Sequence, residues 1–173
     1  MIRKAKQTDL DAVEALYCHI HTAEEQGILT TGWQRGIYPT RQTAVQALAR
    51  QDLFVLTGEK GETLGAAILN QQQVDVYAGA PWEYDAADRE VMVMHTLAID
   101  PAFRGMGLGK AFEQFYCQYA LENGCRYLRI DTNVRNTAAR WFYRGRGYRE
   151  IAVRPCLFNG LPDVELVLLE KKL

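Results

Sequence analysis

Three glycines at a spacing of two residues mark the stretch of this 173-residue sequence that is best suited to chemistry. Gly105, Gly107 and Gly109 follow Arg104, after the apolar strand "REVMVMHTLAID" and a turn at Asp100-Pro101. Glycine adopts positive φ easily and lets a ligand approach the backbone closely. Such a loop presents amide N–H groups, which can bind an anion. The pattern therefore predicts an anion site between a strand and the amphipathic run that follows it.

The glycine spacing excludes two common phosphate-binding loops. The dinucleotide fingerprint G-x-G-x-x-G needs its third glycine where Lys110 stands. The P-loop needs a glycine at the position of Arg104 and Ser or Thr at the position of Ala111. A turn that only lets a strand and a helix pack closely is the alternative to an anion site.

Two sequence blocks resemble motifs of one enzyme superfamily. The segment from Arg104 to Gly109, "RGMGLG", resembles the R/Q-x-x-G-x-G/A motif with which GNAT N-acetyltransferases bind acyl-CoA. About 30 residues later, "NTAARWFYRGRGY" resembles the family block N-x-x-A-x-x-x-Y-x-x-x-G-F/Y. The positions of that block in register are Asn136, Ala139, Tyr143, Gly147 and Tyr148. The strand "VMVMHTLAIDP" looks like the family's fourth strand.

This resemblance implies acetyl-CoA as a cosubstrate and no metal. The amides from Arg104 to Lys110 would bind the pyrophosphate at a helix N-terminus, where the helix dipole favours negative charge. The pantetheine arm would pair with the fourth strand, and the thioester would point to the gap where the fourth and fifth strands splay. The residues implied to bind the cofactor are Leu97, Ala98, Ile99, Arg104, Gly105, Met106, Gly107, Leu108, Gly109, Lys110, Asn136 and Tyr143.

Acetyl transfer from a thioester to an amine needs a neutral amine, an oxyanion donor and a proton for the leaving thiolate. Tyr143 aligns with the family's general acid, although an aromatic residue on a helix also serves packing. Two residues are candidates for the general base. His95 offers an imidazole that titrates near ~6.5, and Glu90 offers a carboxylate of the kind that many family members use. A backbone N–H near Leu97 is the expected oxyanion donor.

Acceptor recognition is expected from two aromatic segments. Trp33 and Tyr38 lie between the first two predicted helices, and Trp82 and Tyr84 precede the fourth strand. Aromatic rings with nearby carboxylates suit a cationic amine, of a small molecule or a peptide. A hydrophobic rim or a dimer contact would use the same residues. Nearby arginines leave an acidic acceptor open as well.

Hydrophobic patterning supplies the elements that position these residues. In chain order they are an edge strand at "MIRKA", a helix with Thr8 as N-cap, a helix at 40–49, a hairpin from Leu53 around "GEKGE", a central strand at "REVMVMHTLAID", a helix ending at Asn123-Gly124, a strand at "RYLRIDT", a helix capped by Asn136, and closing strands at "YREIAV" and "VELVLLEKK". This order matches the family fold. We expect a single-domain α/β GNAT fold over residues 1–173, with a mixed, mostly antiparallel central sheet and helices on both faces.

Composition excludes several other classes of protein. Hydrophobic residues make up 48% and charged residues 24% of the chain, as in soluble globular proteins. The net charge of −1 gives no support for a nucleic-acid partner. The chain has no apolar run long enough for a membrane segment and no C-x-x-C metal pair. A cytoplasmic protein is expected, and a homodimer is allowed because dimers are the commonest oligomers.

Two functions from different classes remain open. The first is an N-acetyltransferase that acts by direct attack of a primary amine on acetyl-CoA. The second is a noncatalytic module that senses or binds acyl-CoA. An enzyme that transfers a longer acyl group than acetyl is a variant of the first function. The Tyr143→Phe substitution separates the two classes, because only an enzyme has turnover to lose.

Overall fold

The computed structural model describes all 173 residues. Its helices and strands follow one another in the order predicted from the sequence. They are β1 (Ile2–Lys4), α1 (Leu10–Glu25), α2 (Arg41–Ala49), β2 (Leu53–Thr57), β3 (Thr63–Asn70), β4 (Val91–Ile99), α3 (Leu108–Glu122), β5 (Tyr127–Asn133), α4 (Thr137–Arg144), β6 (Arg149–Phe158) and β7 (Leu161–Lys172). None of the helices is both long and apolar enough to cross a membrane.

The seven strands form one mixed sheet in the order β1-β2-β3-β4-β5-β7-β6. The pairs β1–β2, β2–β3, β5–β7 and β6–β7 are antiparallel, whereas β4–β5 is parallel. The central position predicted for β4 is confirmed. The prediction of a mixed, mostly antiparallel sheet is confirmed as well.

The chain divides into two compact units. The first unit comprises Met1–Leu29, Trp33–Leu69 and His95–Tyr116. Its core forms where the apolar face of α1 packs with the two buried alanines of α2 and with β2 and β3. The face of α1 carries the residues that helical spacing singled out, and they are Leu10, Val13, Leu16, Tyr17 and Ile20.

The second unit comprises Thr30–Gly32, Asn70–Met94 and Cys117–Leu173. Val91 and Val93 of β4 pack there with Leu166 and Leu168 of β7 and with Tyr77. All five residues are at most 3% exposed. The expectation of one domain over the whole chain stays a prediction.

Thr8 does not cap the first helix, so that prediction was wrong. Thr8 lies inside a 3₁₀ turn, Gln7–Asp9, that precedes α1. The carboxylate of Asp9 orders this turn, because it accepts a hydrogen bond from the Lys6 amide at 2.6 Å and two from the Arg3 guanidinium at 2.7 and 2.9 Å. The predicted helix ends were correct elsewhere: α3 ends before Gly124, which has a φ of 75°.

Candidate active site

The glycine loop leaves β4 through an ordered turn. Asp100 caps a 3₁₀ turn by accepting a hydrogen bond from the Ala102 amide at 2.9 Å. The other carboxylate oxygen of Asp100 lies 2.8 Å from Nδ1 of His19 on α1. The positive φ predicted for the loop is present at Gly105 (82°) and Gly107 (76°). Gly109 lies in the first turn of α3 and is not among the residues with positive φ.

Fewer amides are available for an anion than the sequence indicated. The amide of Arg104 donates to the Pro101 carbonyl at 3.2 Å, and that of Met106 donates to the Phe103 carbonyl at 3.3 Å. The first helical hydrogen bond of α3 runs from Ala111 to the Gly107 carbonyl. The N–H groups of residues 108–110 therefore have no acceptor within the helix, as at every helix N-terminus. These amides form the core of the candidate anion site.

Packing does not explain the glycines of the loop. A Cβ added at Gly105 or Gly107 would meet no atom within 4 Å. Gly65 on β3 shows what a packing glycine looks like, because a Cβ there would come within 3.0 Å of the Ala98 carbonyl oxygen. The loop glycines instead face open space, which is what a backbone that receives a ligand requires.

The end of β4 combines partial exposure with a strained backbone. His95, Leu97 and Ile99 are partly exposed and alternate with buried Thr96 and Ala98. Thr96 has a φ of 54°, a rare conformation for a β-branched residue. Strain of this kind concentrates at functional sites, where the surrounding structure enforces it.

The loop between α1 and α2 is attached to this part of β4. The hydroxyl of Tyr38 shares a hydrogen bond with the hydroxyl of Thr96. Trp33 contacts Tyr38 edge to face, with 5.9 Å between the ring centroids. Tyr38, which was predicted to bind the acceptor amine, thus contacts Thr96, the residue after His95 on β4. Trp33, predicted for the same role, packs against Tyr38.

Glu90 has a structural role. It ends a 3₁₀ turn, Asp88–Glu90, and its carboxylate accepts a hydrogen bond from the Ala87 amide at 3.3 Å. Its backbone carbonyl accepts one from the Arg126 amide at 3.0 Å. Glu90 precedes the first residue of β4, whereas the glycine loop follows the last one. Whether His95 or Glu90 acts as a base stays a prediction.

Tyr143 lies on α4 and is 6% exposed. Its ring packs against Phe142 and Tyr148, with centroid distances of 5.0 and 5.4 Å. Asn136 begins the helix as predicted, and its side-chain oxygen accepts a hydrogen bond from the Ala139 amide at 3.2 Å. Helix capping thus occupies that oxygen. The catalytic role of Tyr143 and the cofactor contact of Asn136 remain predictions.

Trp82 and Tyr84 surround a buried ion pair. Arg129 on β5 lies opposite Glu170 on β7, and Nη2 of the arginine is 2.9 Å from Oε1 of the glutamate. The side chains of the pair are 5% and 1% exposed. The guanidinium carbon lies 4.0 Å from the centroid of the Trp82 ring, and Nη2 donates a hydrogen bond to the Tyr84 carbonyl at 3.2 Å.

The same ion pair anchors the segment between β3 and β4. Glu170 accepts hydrogen bonds from the amides of Glu83 and Tyr84 at 2.9 and 3.3 Å. Arg129 donates to the side chain of Gln73 at 2.6 Å. Because both members of the ion pair also hydrogen-bond to this segment, the pair fixes residues 73–84 in place.

A cavity of about 560 Å³ opens among these residues. Its aromatic lining consists of Tyr77, Trp82 and Tyr84, and its acidic lining consists of Asp75, Glu83, Asp85 and Asp88. Glu83 is neutralised by Arg149 at 2.6 Å, and Asp88 accepts a hydrogen bond from Gln73 at 2.6 Å. The remaining carboxylates give this cavity a negative character.

Sequence reasoning missed one titratable group, Asp131. It lies on β5, where the Tyr77 hydroxyl donates a hydrogen bond to its Oδ2 at 2.8 Å. Burial raises the pKa of Asp131 to about 6, and the hydrogen bond from Tyr77 partly opposes that rise. A charged residue inside the strand "RYLRIDT" was the available signal. The tyrosine partner is 54 positions away in the sequence, so spacing alone could not reveal the pair.

No group of three or more His, Cys, Asp or Glu side chains is arranged to hold a metal ion. An α/β fold with a glycine loop between a central strand and a helix N-terminus occurs in several classes of protein that bind phosphorylated ligands. A family comparison identifies which one. Residues 11–148 match the acetyltransferase (GNAT) family, and the chain belongs to that family.

The comparisons with individual proteins agree with this assignment. An uncharacterized N-acetyltransferase from Methanocaldococcus jannaschii is 35% identical over 69 residues, which are 40% of this chain and 30% of that protein. The chain therefore matches less than a third of the length of this curated relative. A GNAT-family acetyltransferase from Streptococcus agalactiae shares the fold with a TM-score of 0.81 at 21% identity, over 100% of this chain and 95% of the other.

A Salmonella typhimurium structure that contains acetyl-CoA as its cofactor gives a TM-score of 0.70 at 17% identity. The match covers 99% of this chain and 92% of that chain. At these identities the structural matches establish the fold.

Proposed function

We propose that this protein transfers an acetyl group from acetyl-CoA to a primary amine. The observation that carries the proposal is the glycine loop, whose positive φ values and open Cβ positions fit a backbone that receives a ligand. Membership of the GNAT family adds the identity of that ligand. The amides of Leu108, Gly109 and Lys110 would bind its pyrophosphate, assisted by the dipole of α3.

The proposed reaction is a direct attack of the neutral amine on the thioester. The residues at the end of β4 (Leu97, Ala98, Ile99) would align the acyl donor through backbone hydrogen bonds, and the Leu97 N–H would stabilise the oxyanion. The Tyr143 hydroxyl would protonate the leaving thiolate.

Acceptor binding is proposed for the cavity beside Trp82 and Tyr84. Its aromatic rings and carboxylates favour a cationic amine over an acidic one. Trp33 and Tyr38 are proposed separately as acceptor-binding residues of the first unit, where the Tyr38 hydroxyl is bonded to Thr96 of β4. A cytoplasmic location and a homodimer also remain proposals.

The first experiment measures thermal unfolding with acetyl-CoA, CoA, NAD and ATP. A ligand at about 100 times its Kd adds roughly 2.7 kcal/mol to the stability. We expect a higher Tm with both CoA species and no change with NAD or ATP. No rise with either CoA species would contradict the proposal.

A matched pair of glycine variants tests the loop itself. Gly107→Ala should weaken acetyl-CoA binding at least tenfold, because alanine strains the backbone that presents the amides. Gly61 in the β2–β3 turn also has positive φ (84°) and no atom within 4 Å of an added Cβ. Gly61→Ala therefore imposes the same strain and should leave the affinity unchanged. Equal affinities in the two variants would argue against the loop as the site.

Turnover separates an enzyme from a CoA sensor. Release of the CoA thiol is followed with spermidine, 2-phenylethylamine and an alanine-initiated peptide as acceptors. We expect acetylation of at least one of these amines. Binding of acetyl-CoA without thiol release above the rate of hydrolysis would favour the noncatalytic module.

A further inference from the structure

The strained residue of β4, Thr96, is held by a contact from outside its strand. Thr96 is 8% exposed and has a φ of 54°. In this left-handed region the Cβ of an L-residue crowds the following carbonyl oxygen, and a second branch at Cβ adds to the cost. Such a backbone persists only where the surrounding contacts enforce it. The contact made by the Thr96 hydroxyl is its hydrogen bond with the hydroxyl of Tyr38.

Tyr38 is fixed on both sides along the chain. Its amide donates to the Gln34 carbonyl at 3.0 Å, and the Gln34 amide donates to the Tyr38 carbonyl at 3.2 Å. On the other side, the Pro39 carbonyl accepts a hydrogen bond at 2.9 Å from Nε2 of His21, a residue of α1 that is 3% exposed. The ring of Trp33 packs edge to face on the Tyr38 ring. The hydroxyl of Tyr38 therefore has a defined position, from which it can hold Thr96.

The conformation of Thr96 determines the orientation of the next amide. The peptide that joins Thr96 to Leu97 is planar, so the φ and ψ of Thr96 set the direction of the Leu97 N–H. In an ordinary parallel strand φ is about −120°, and a change from 54° to that value would turn this peptide. A hydrogen-bond donor accelerates acyl transfer only when it is aimed in advance at the oxyanion. The direction of the Leu97 N–H thus depends on the strained φ before it.

We propose that the Tyr38 hydroxyl positions the oxyanion donor: through its hydrogen bond to Thr96 it keeps the positive φ and thereby aims the Leu97 N–H. This inference rests on the proposed acetyl transfer. It concerns the first unit alone, because Tyr38, Thr96 and Leu97 all belong to that unit. Tyr38 is a positioning residue here, and the acceptor role proposed for it above concerns its ring.

A single hydrogen bond is sufficient for this role. The strain of a non-glycine residue in the left-handed region and the net contribution of one buried hydrogen bond are of the same order. Loss of the bond therefore removes a contribution comparable to the strain that it opposes. We expect the Thr96 backbone to relax towards negative φ when either hydroxyl is removed.

Tyr17 on α1 offers a matched control in the same unit. Its hydroxyl is buried and has no hydrogen-bond partner. It lies near Tyr38, since burial, and then the neighbouring Tyr38, raise the pKa of the Tyr17 hydroxyl. Tyr17→Phe therefore removes a buried tyrosine hydroxyl from the same neighbourhood without breaking a hydrogen bond.

The first test measures kcat and KM with the best acceptor of the amine panel, together with the Kd of acetyl-CoA. Tyr38→Phe should lower kcat at least tenfold and change KM and Kd less than twofold, because an oxyanion donor acts in the transition state. Thr96→Val, which keeps the shape and lacks the hydroxyl, tests the bond from its other end and should show the same loss. Thr96→Ser retains a hydroxyl and should keep most of kcat. Tyr17→Phe should stay within twofold of the wild type.

Glycine at position 96 separates positioning from a merely structural role. Glycine adopts positive φ without the steric cost of a side chain. The double variant Tyr38→Phe/Thr96→Gly should therefore regain at least threefold in kcat over Tyr38→Phe alone. If the hydrogen bond only stabilised the fold, the added glycine would lower stability further and restore no activity. A double variant no more active than Tyr38→Phe would overturn the inference.

The Leu97 amide gives a readout that does not depend on turnover. Heteronuclear amide correlation spectra of leucine-labelled protein report the environment of each leucine N–H. Tyr38→Phe and Thr96→Val should both shift the Leu97 resonance, whereas Tyr17→Phe should leave it in place. An unshifted Leu97 resonance in Tyr38→Phe would overturn the inference.

The failure of this inference is distinguishable from the failure of the proposed function. An active wild type whose Tyr38→Phe variant keeps its kcat would overturn the inference alone. A Tyr38→Phe variant with a raised acceptor KM and an unchanged kcat would also overturn it, because the hydroxyl would then bind the acceptor. A wild type that binds acetyl-CoA and acetylates no amine would overturn the proposed function, and the inference about the oxyanion with it.

Discussion

Replacement of Asp131 by asparagine should stabilise the protein near neutral pH. The pKa of Asp131 rises from 3.8 to about 6 in the folded state, so burial disfavours its charged form. A raised pKa means that the folded state binds the proton more tightly than the unfolded chain does. The stability of the wild type therefore falls as the pH rises from about 4 to about 6, and the full penalty applies above the folded pKa.

The magnitude follows from the size of the shift. A change of about two pKa units at 1.36 kcal/mol per unit gives a penalty of about 3 kcal/mol. Asparagine keeps an oxygen that can accept the hydrogen bond from Tyr77, and it carries no charge. Because the amide itself must be desolvated, we expect a gain of about 1–3 kcal/mol at pH 7.5 and almost none at pH 4.

Urea unfolding at pH 4, 5, 6 and 7.5 measures this difference directly. The free energy of unfolding of Asp131→Asn minus that of the wild type should rise across the series. Glu59→Gln is the matched control, and its difference should stay near zero throughout. A constant difference, or a variant less stable than the wild type at pH 7.5, would refute the reasoning, because the carboxylate would then not be desolvated in the fold.

Three other predictions concern the second unit. Tyr143→Phe should lower kcat at least tenfold with little change in acetyl-CoA affinity, whereas Tyr148→Phe, which removes the hydroxyl of the neighbouring ring, should retain kcat. Glu170→Gln should destabilise the protein by about 3 kcal/mol in urea unfolding and raise the KM of the acceptor, since it breaks a buried ion pair that anchors residues 73–84. Arg140 holds the pKa of Glu150 below its ordinary value of 4.5, so this carboxylate stabilises the fold above that pH. Glu150→Gln should therefore lower the free energy of unfolding by about 1 kcal/mol at pH 7, and the loss should vanish as the pH falls through the lowered pKa.

The elements of the fold were predictable because their signals are local. Helical spacing on α1, the turn glycines between β2 and β3, and the Asn136 cap each depend on residues a few positions apart. Thr8 was misjudged because the Asp9 carboxylate bonds to both Arg3 and the Lys6 amide, which draws the chain into a 3₁₀ turn first. The side chain of a candidate cap residue competes with neighbouring side chains for the same backbone amides. The sequence does not show which side chain forms the hydrogen bond.

The candidate site was predictable only in part. The glycine spacing predicted positive φ at Gly105 and Gly107, which depends on the loop alone. The partners of Trp82 and Asp131 depend on strand order. Arg129 meets Glu170 because β7 inserts between β5 and β6, and no local pattern encodes that register. Residues whose environment comes from distant strands can be listed from the sequence, but their chemistry cannot be assigned.

Two charged residues on one face of β5 differ in how many hydrogen-bond and charge partners surround them. Arg129 and Asp131 are two positions apart, so their side chains point to the same side of the sheet. Arg129 is surrounded by a carboxylate, an amide oxygen, a carbonyl and the ring of Trp82. Asp131 has one hydroxyl. The partners of Arg129 show that this part of the fold can pair a buried charge fully. A neutral residue at position 131 would remove the desolvation penalty of the carboxylate. Asp131 therefore carries a desolvation cost that its single hydrogen bond from Tyr77 offsets only in part, whereas the partners of Arg129 compensate its burial.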